Sequence, residues 1–241
     1  MADNRPDGRF PTTHWSRVVA AADPDRTGAR EALAELCAAY WFPVYALVRR
    51  KGHDPDAALD LTQDYFARLL EKPVLAAADR RKGRFRAFLL TDCVHFLANA
   101  HDRAGRIKRG GGRSFVPIDA GAAEGRYGSE PVHDLTPERL FERAWVLTLL
   151  AAVFDALRRE FETEGKLAAF EELKIVLEGG AGAVRYAEIA ARLGTSEGAV
   201  KVAVHRLRKR YKALLREQIA ATVDSPAEVE DEIQALFDAL G

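Results

Sequence analysis

Apolar residues recur along this chain at intervals of three and four, and runs that alternate apolar with polar at every second residue are nearly absent. That period belongs to amphipathic helices rather than strands, and abundant alanine and leucine favour the same conformation. The pattern predicts helices over about 12–22, 30–51 and 56–71, the last with Asp54 as cap and Pro55 in the first turn. A loop over 73–83 precedes a long basic helix over 84–108, which stops at Gly110, Gly111 and Gly112. Residues 110–135 lose the periodicity and are rich in glycine, which reads as a flexible linker. Helices follow at 137–165 and 166–178, then a glycine-rich break at 179–182 and two closely spaced helices reaching about 222. A last helix, about 226–240, opens on Ser225-Pro226-Ala227-Glu228, a capping box with proline at the first helical position. The expected fold is all-α, with two small helical domains over 1–109 and 137–223. A flexible acidic linker over 110–136 joins them, and an acidic helix over 224–241 follows.

Charge changes this picture. The 241 residues carry 36 basic and 36 acidic groups, and the zero balance hides segregation. Residues 80–113 hold ten basic and two acidic groups, and residues 185–216 hold nine and two. The segment 114–180 is acidic by six charges, and 217–241 carries seven acids and no base. Two cationic blocks separated by anionic segments suit a polyanion held at two places.

Other classes fall away. No run of about 18 apolar residues announces a membrane span, and the opening residues lack the apolar core of a signal peptide. Cys37 and Cys93 sit in helical apolar patterns and read as reduced core thiols of a cytoplasmic protein. His14, His53, His95, His101, His133 and His205 form no metal-ligand spacing, and Gly110–Gly112 follows a helix, not the strand a phosphate loop needs. An enzyme, a metal, a cofactor and a small-molecule substrate are therefore not expected.

The second cationic block has the spacing of a helix-turn-helix. Tyr186–Leu193 is a short helix, Gly194-Thr195-Ser196 a turn, and Glu197–Arg216 a longer helix. Ala190, Gly194 and Val200 stand where two crossing helices need a small contact, a positive-φ turn and a core plug. Val200, Ala203, Val204, Leu207, Tyr211, Leu214 and Leu215 form one apolar stripe, opposite Lys201, Val202, His205, Arg206 and Lys209. The first turns of a recognition helix reach base edges, so Lys201, His205 and Arg206 are candidate base readers. Arg208, Lys209, Arg210 and Lys212 are candidate phosphate contacts. A surface helix that is merely basic is the plainer alternative.

On the first block, Phe85, Leu89, Cys93, Phe96, Leu97 and Ala100 line one side of the helix. Thr91, His95, Asn99, Asp102 and Arg106 step by three and four into a polar stripe. Arg80, Arg81, Lys82, Arg84 and Arg86 lie at its start, and Arg103, Lys108 and Arg109 at its end. Polar groups edged by cations suit bases along a strand, against the simpler reading of a solvated face.

With these segments in view, the chain resembles bacterial RNA polymerase sigma factors of the extracytoplasmic-function group. The segment DAALDLTQDYFARLL over 56–70 is similar to their core-polymerase helix, and Gly83-Arg84-Phe85-Arg86-Ala87-Phe88-Leu89-Leu90 to the start of their −10 helix. YAEIAARLG over 186–194 with SEGAVKVAVHRLR over 196–208 resembles their −35-reading domain. The resemblance covers about 30–113 and 140–216, and FPTTHW over 10–15 and the acidic tail look like a subgroup of such factors. It implies a region 2-like bundle over 1–109 and a region 4-like helix-turn-helix domain over 137–223.

Core polymerase would dock on Asp60, Leu61, Gln63, Asp64, Tyr65 and Arg68, with Leu59, Thr62, Phe66, Leu69 and Leu70 facing inward. The −10 surface would be Arg84, Arg86, Thr91, His95, Asn99, Asp102, Arg103, Arg106, Lys108 and Arg109. The −35 surface would be Ser196, Glu197, Lys201, Val202, His205, Arg206, Arg208, Lys209 and Arg210. Loop 73–83 would capture an extruded base, and Asp119, Glu124, Glu130 and Asp134 would thread toward the RNA exit path. Promoter recognition, melting and initiation are the implied function. Core polymerase and promoter DNA are the partners, with an anti-sigma factor or kinase as regulator. The rival reading is a helix-turn-helix regulator that binds duplex DNA without polymerase. The tail helix, with Val229, Ile233, Leu236, Phe237 and Leu240 on one stripe, either completes the C-terminal domain, docks on a regulator, or folds back on block 185–216.

Overall fold

The computed structural model describes residues 15–23, 27–71, 74–79, 84–104, 119–129, 135–177, 186–220, 222–223 and 227–240. Among them are ten α-helices and no strand. These are α1 Trp15–Ala21, α2 Ala29–Arg50, α3 Pro55–Glu71, α4 Phe85–Ala104, α5 Ala120–Ser129, α6 Pro137–Thr163, α7 Leu167–Leu173, α8 Tyr186–Leu193, α9 Glu197–Ala220 and α10 Glu228–Leu240. Short 3-10 turns at Leu75–Ala77 and Lys174–Val176 follow α3 and α7. The fold is all-α, as the apolar period predicts.

Polar side chains set the helix starts. Asp54 accepts the Ala57 N–H at 2.9 Å, Thr136 that of Arg139 at 3.2 Å, and Ser196 that of Ala199 at 3.2 Å. Glycine sets two ends. At Gly165 (φ 69°) and Gly194 (φ 62°) the chain turns left-handed, with Lys166 N–H on Phe161 C=O at 2.7 Å and Thr195 N–H on Ala190 C=O at 2.9 Å. Both are six-to-one closures that satisfy carbonyls a helix end would otherwise leave bare.

The described residues divide into two compact units, one within 11–149 with 219–241 and the other within 150–218. The first is built around α2, whose Phe42, Val44, Tyr45, Ala46, Leu47 and Val48 are buried. Tyr40 meets Phe85 of α4 edge-on at 5.7 Å and stacks near Phe141 and Trp145 of α6, each at 6.4 Å. α2 is long and apolar enough to cross a membrane, but 72% of its apolar window is buried inside the protein, where it serves as the core helix.

One element departs from the pattern. The segment expected to be unstructured carries α5, which packs on α2 and α3. Asp119 caps it through Ala122 N–H at 3.0 Å, and Ala123 is its one buried anchor. Glu124, expected to thread free, instead accepts from Arg49 Nε at 2.7 Å and from the Tyr45 hydroxyl. Three glycines weaken the apolar signal of this helix, and tertiary pairing supplies what propensity lacks. Glu130 and Asp134 lie outside the described residues.

The second unit closes around Phe170, with Phe154 and Phe161 at 5.3 and 5.5 Å. Val153, Leu157, Leu173, Val176, Ile189, Val200, Val204 and Leu207 are buried in the same unit.

Candidate nucleic-acid interface

In the helix-turn-helix, α8 buries Ile189 and Ala190 while α9 buries Val200, Val204, Leu207 and Leu214. A stripe at this period turns the other side of α9 to solvent. Lys201, Val202, His205, Arg206, Arg208 and Lys209 are all exposed, as are Ser196 and Glu197. Val202 is half exposed, an apolar group at the centre of a polar face. Lys201 pairs with Glu197 one turn earlier at 2.9 Å and lies 5.9 Å from the Tyr186 ring, and the carboxylate raises its ammonium above the usual lysine range.

Arg210 corrects the expectation of a free phosphate contact. Its guanidinium is held by Glu160 of α6 at 2.5 and 2.8 Å and by Glu217 at 3.1 Å. It therefore braces α9 against α6, and those carboxylates push its pKa up. Position 210 sits three residues past Leu207, near the edge of the buried stripe.

On α4 the polar stripe is present where it is described: Thr91, His95 and Asn99 are exposed, and Asn99 donates back to His95 C=O at 2.8 Å. Asp102 and Arg103 lie in the helix, but their side chains lie outside the described residues. Outside them too are Arg106, Lys108, Arg109, Arg80, Arg81 and Lys82, whereas residues 74–79 of the expected base-capturing loop are described and form the 3-10 turn Leu75–Ala77, with Leu75 buried.

Arg86 is a second correction. It is buried, its Nε donates to Glu142 at 2.7 Å, its Nη1 pairs with Glu232 of α10, and its guanidinium lies 4.8 Å from the Trp145 ring. Burial draws its pKa below the usual arginine range, with Glu142 opposing. Arg84 is half-buried and meets the same Glu232 carboxylate at 2.5 Å. Arg86 stands three residues before Leu89 and seven before Cys93, so helical spacing places it on the buried stripe.

On α3, Asp60 and Asp64 are exposed one turn apart, with Leu61 and Gln63 half-buried beside them. Partial burial and the charge of Asp60 raise the Asp64 pKa. Tyr65, expected on this outer side, is fully buried, and its hydroxyl donates to Leu89 C=O at 3.1 Å. Thr62, Phe66 and Leu69 are buried as expected, Leu59 is half-buried, and Tyr65 falls on their face at i+3 from Thr62. Arg68 is also corrected: it forms a two-point pair with Asp92 of α4 at 2.7 and 2.9 Å.

Glu232, Glu142 and Glu160 were not among the expected site residues. Glu232 stands three past Val229 and four before Leu236, inside the apolar stripe of the tail. That is the spacing signal that marks it as buried. Its basic partners lie in block 80–113, whereas charge alone pointed to 185–216.

Comparison with known proteins agrees with this geometry. The family described as sigma-70, region 4 matches residues 182–210, which contain α8, the turn and the first half of α9. The ECF RNA polymerase sigma factor SigE of Mycolicibacterium smegmatis is 26% identical over 204 residues, which is 83% of this chain and 69% of that protein. No solved structure matches the chain. The helix-turn-helix of this chain thus matches sigma-70 region 4, and most of its length is similar to an extracytoplasmic-function sigma factor.

Proposed function

We propose that this chain is a non-enzymatic initiation factor that binds core RNA polymerase, recognises −35 and −10 promoter elements and promotes promoter melting. The observation that carries the reading is the uninterrupted exposed face of Lys201, Val202, His205 and Arg206 at the start of α9, within the region 4 match. In a docked recognition helix these positions meet base edges, while Arg208 and Lys209 lie along the backbone.

On α4, Thr91, His95 and Asn99, continued by Asp102, Arg103, Arg106, Lys108 and Arg109, form the strand-reading surface of the −10 element. Unstacking a base costs a few kcal/mol, which binding on that surface offsets. On α3 the exposed carboxylates Asp60 and Asp64 with Leu61 and Gln63 are the core-polymerase contact. An anti-sigma factor or a kinase is the class of partner that would regulate it.

Run-off transcription with purified core polymerase on a library of upstream sequences tests the reading. Sequence-dependent starts that require the chain support it. Tight duplex binding with no association with core enzyme at low salt would instead leave a polymerase-independent regulator.

A further inference from the structure

We propose that α10 is a built-in competitor for the nucleic-acid strand at the start of α4, with Glu232 standing where a phosphate would stand between Arg84 and Arg86. The inference rests on the reading of α4 as a strand-binding surface.

A fully buried carboxylate is costly unless it is paired, and Glu232 is fully buried on a tail stripe otherwise made of Val229 and Leu236. Both its partners are arginines at the very start of α4. One oxygen pairs with Arg86, and the other lies 2.5 Å from Arg84 Nε as an ion pair without hydrogen-bond alignment, so a single anion sits between two guanidinium groups where a phosphate would. Beside this bridge lies a cavity of about 330 Å³ whose wall includes Arg84, Arg139 and the end of α10 at Leu240.

The rest of the hold is light. Ile233 and Leu240 are half-buried, Phe237 is 57% exposed, and the last turn is fixed by Arg143 donating to Leu240 C=O at 2.5 Å. A short helix with so small an apolar anchor can leave without unfolding the unit beneath it. Its acid-rich segment, seven acids and no base over 217–241, is repelled by the same polyanion that displaces it.

The test is titration of a single-stranded oligonucleotide onto the full-length chain at several salt concentrations, wild type against Glu232→Gln. The expected result is binding tightened about fivefold or more. The salt slope should steepen by about 0.7 for each arginine that turns to the strand. Unchanged or weaker binding by a folded Glu232→Gln chain overturns the proposal and leaves α10 as a capping helix.

Should circular dichroism show that this variant is unfolded, Leu236→Ala, which loosens α10 without touching a charge, decides in its place. Tighter binding supports the competitor, and unchanged or weaker binding rejects it. Run-off transcription by the wild-type chain is measured in parallel. Its failure removes the sigma-factor reading, whereas the competitor stands or falls on the titration alone.

Discussion

A single arginine in this chain can read bases, brace a helix or balance a buried acid, and burial decides which. Arg206 is exposed on α9, Arg210 is held by Glu160, and Arg86 is enclosed by Glu142 and Glu232. Arg206→Ala should relax −35 preference by about 1–3 kcal/mol, measured as the spread of affinities over a set of duplex variants. Loss of equal size on every duplex would make it a backbone contact instead. Glu124 gives a pH signature. Arg49 holds its carboxylate below the ordinary range, with the Tyr45 hydroxyl assisting. A depressed carboxylate adds stability above the unfolded-state pKa of about 4.3 and loses it as pH falls through the lower folded value. Acid unfolding of Glu124→Gln should therefore show a shallower stability loss below about pH 4.3 than the wild type, read by circular dichroism.

At the scale of the element, what was legible depended on how local the signal was. The helix-turn-helix was readable to the residue at its turn, because caps, a left-handed glycine and the 3.6-residue stripe are all written within 30 or so positions. Gly194→Ala should test this: with φ at 62° the methyl meets no neighbour, so the strain of the left-handed backbone is the whole effect, about 1–2 kcal/mol of lost stability in urea unfolding. α5 was invisible for the opposite reason. Its stabilising partners Arg49 and Tyr45 lie more than 70 positions away, and its own residues include three glycines. Tyr65 and Arg86 carry polar ends that favour an outward reading, whereas spacing sets both on the buried face, Tyr65 three past Thr62 and Arg86 three before Leu89, with the Leu89 carbonyl and the carboxylates of Glu142 and Glu232 receiving those ends.

For the whole molecule, equal numbers of acids and bases conceal an arrangement in which acidic segments already engage the basic ones. Asp60 and Asp64 are two exposed carboxylates one turn apart that repel each other mildly. Asp64→Arg should therefore leave thermal stability and binding to −35 duplex intact while weakening association with core polymerase about tenfold, ~1.4 kcal/mol, in a competition with unmodified chain. Normal association would remove α3 from the contact surface. The guanidinium of Arg86 over the Trp145 ring carries a practical consequence. Only three tryptophans are present, so replacing Trp15 and Trp41 with phenylalanine leaves one indole whose light emission is set by a neighbouring cation. Under the proposed competition, departure of the tail helix would alter that emission, giving an unlabelled optical clock for the arrival of a nucleic-acid strand.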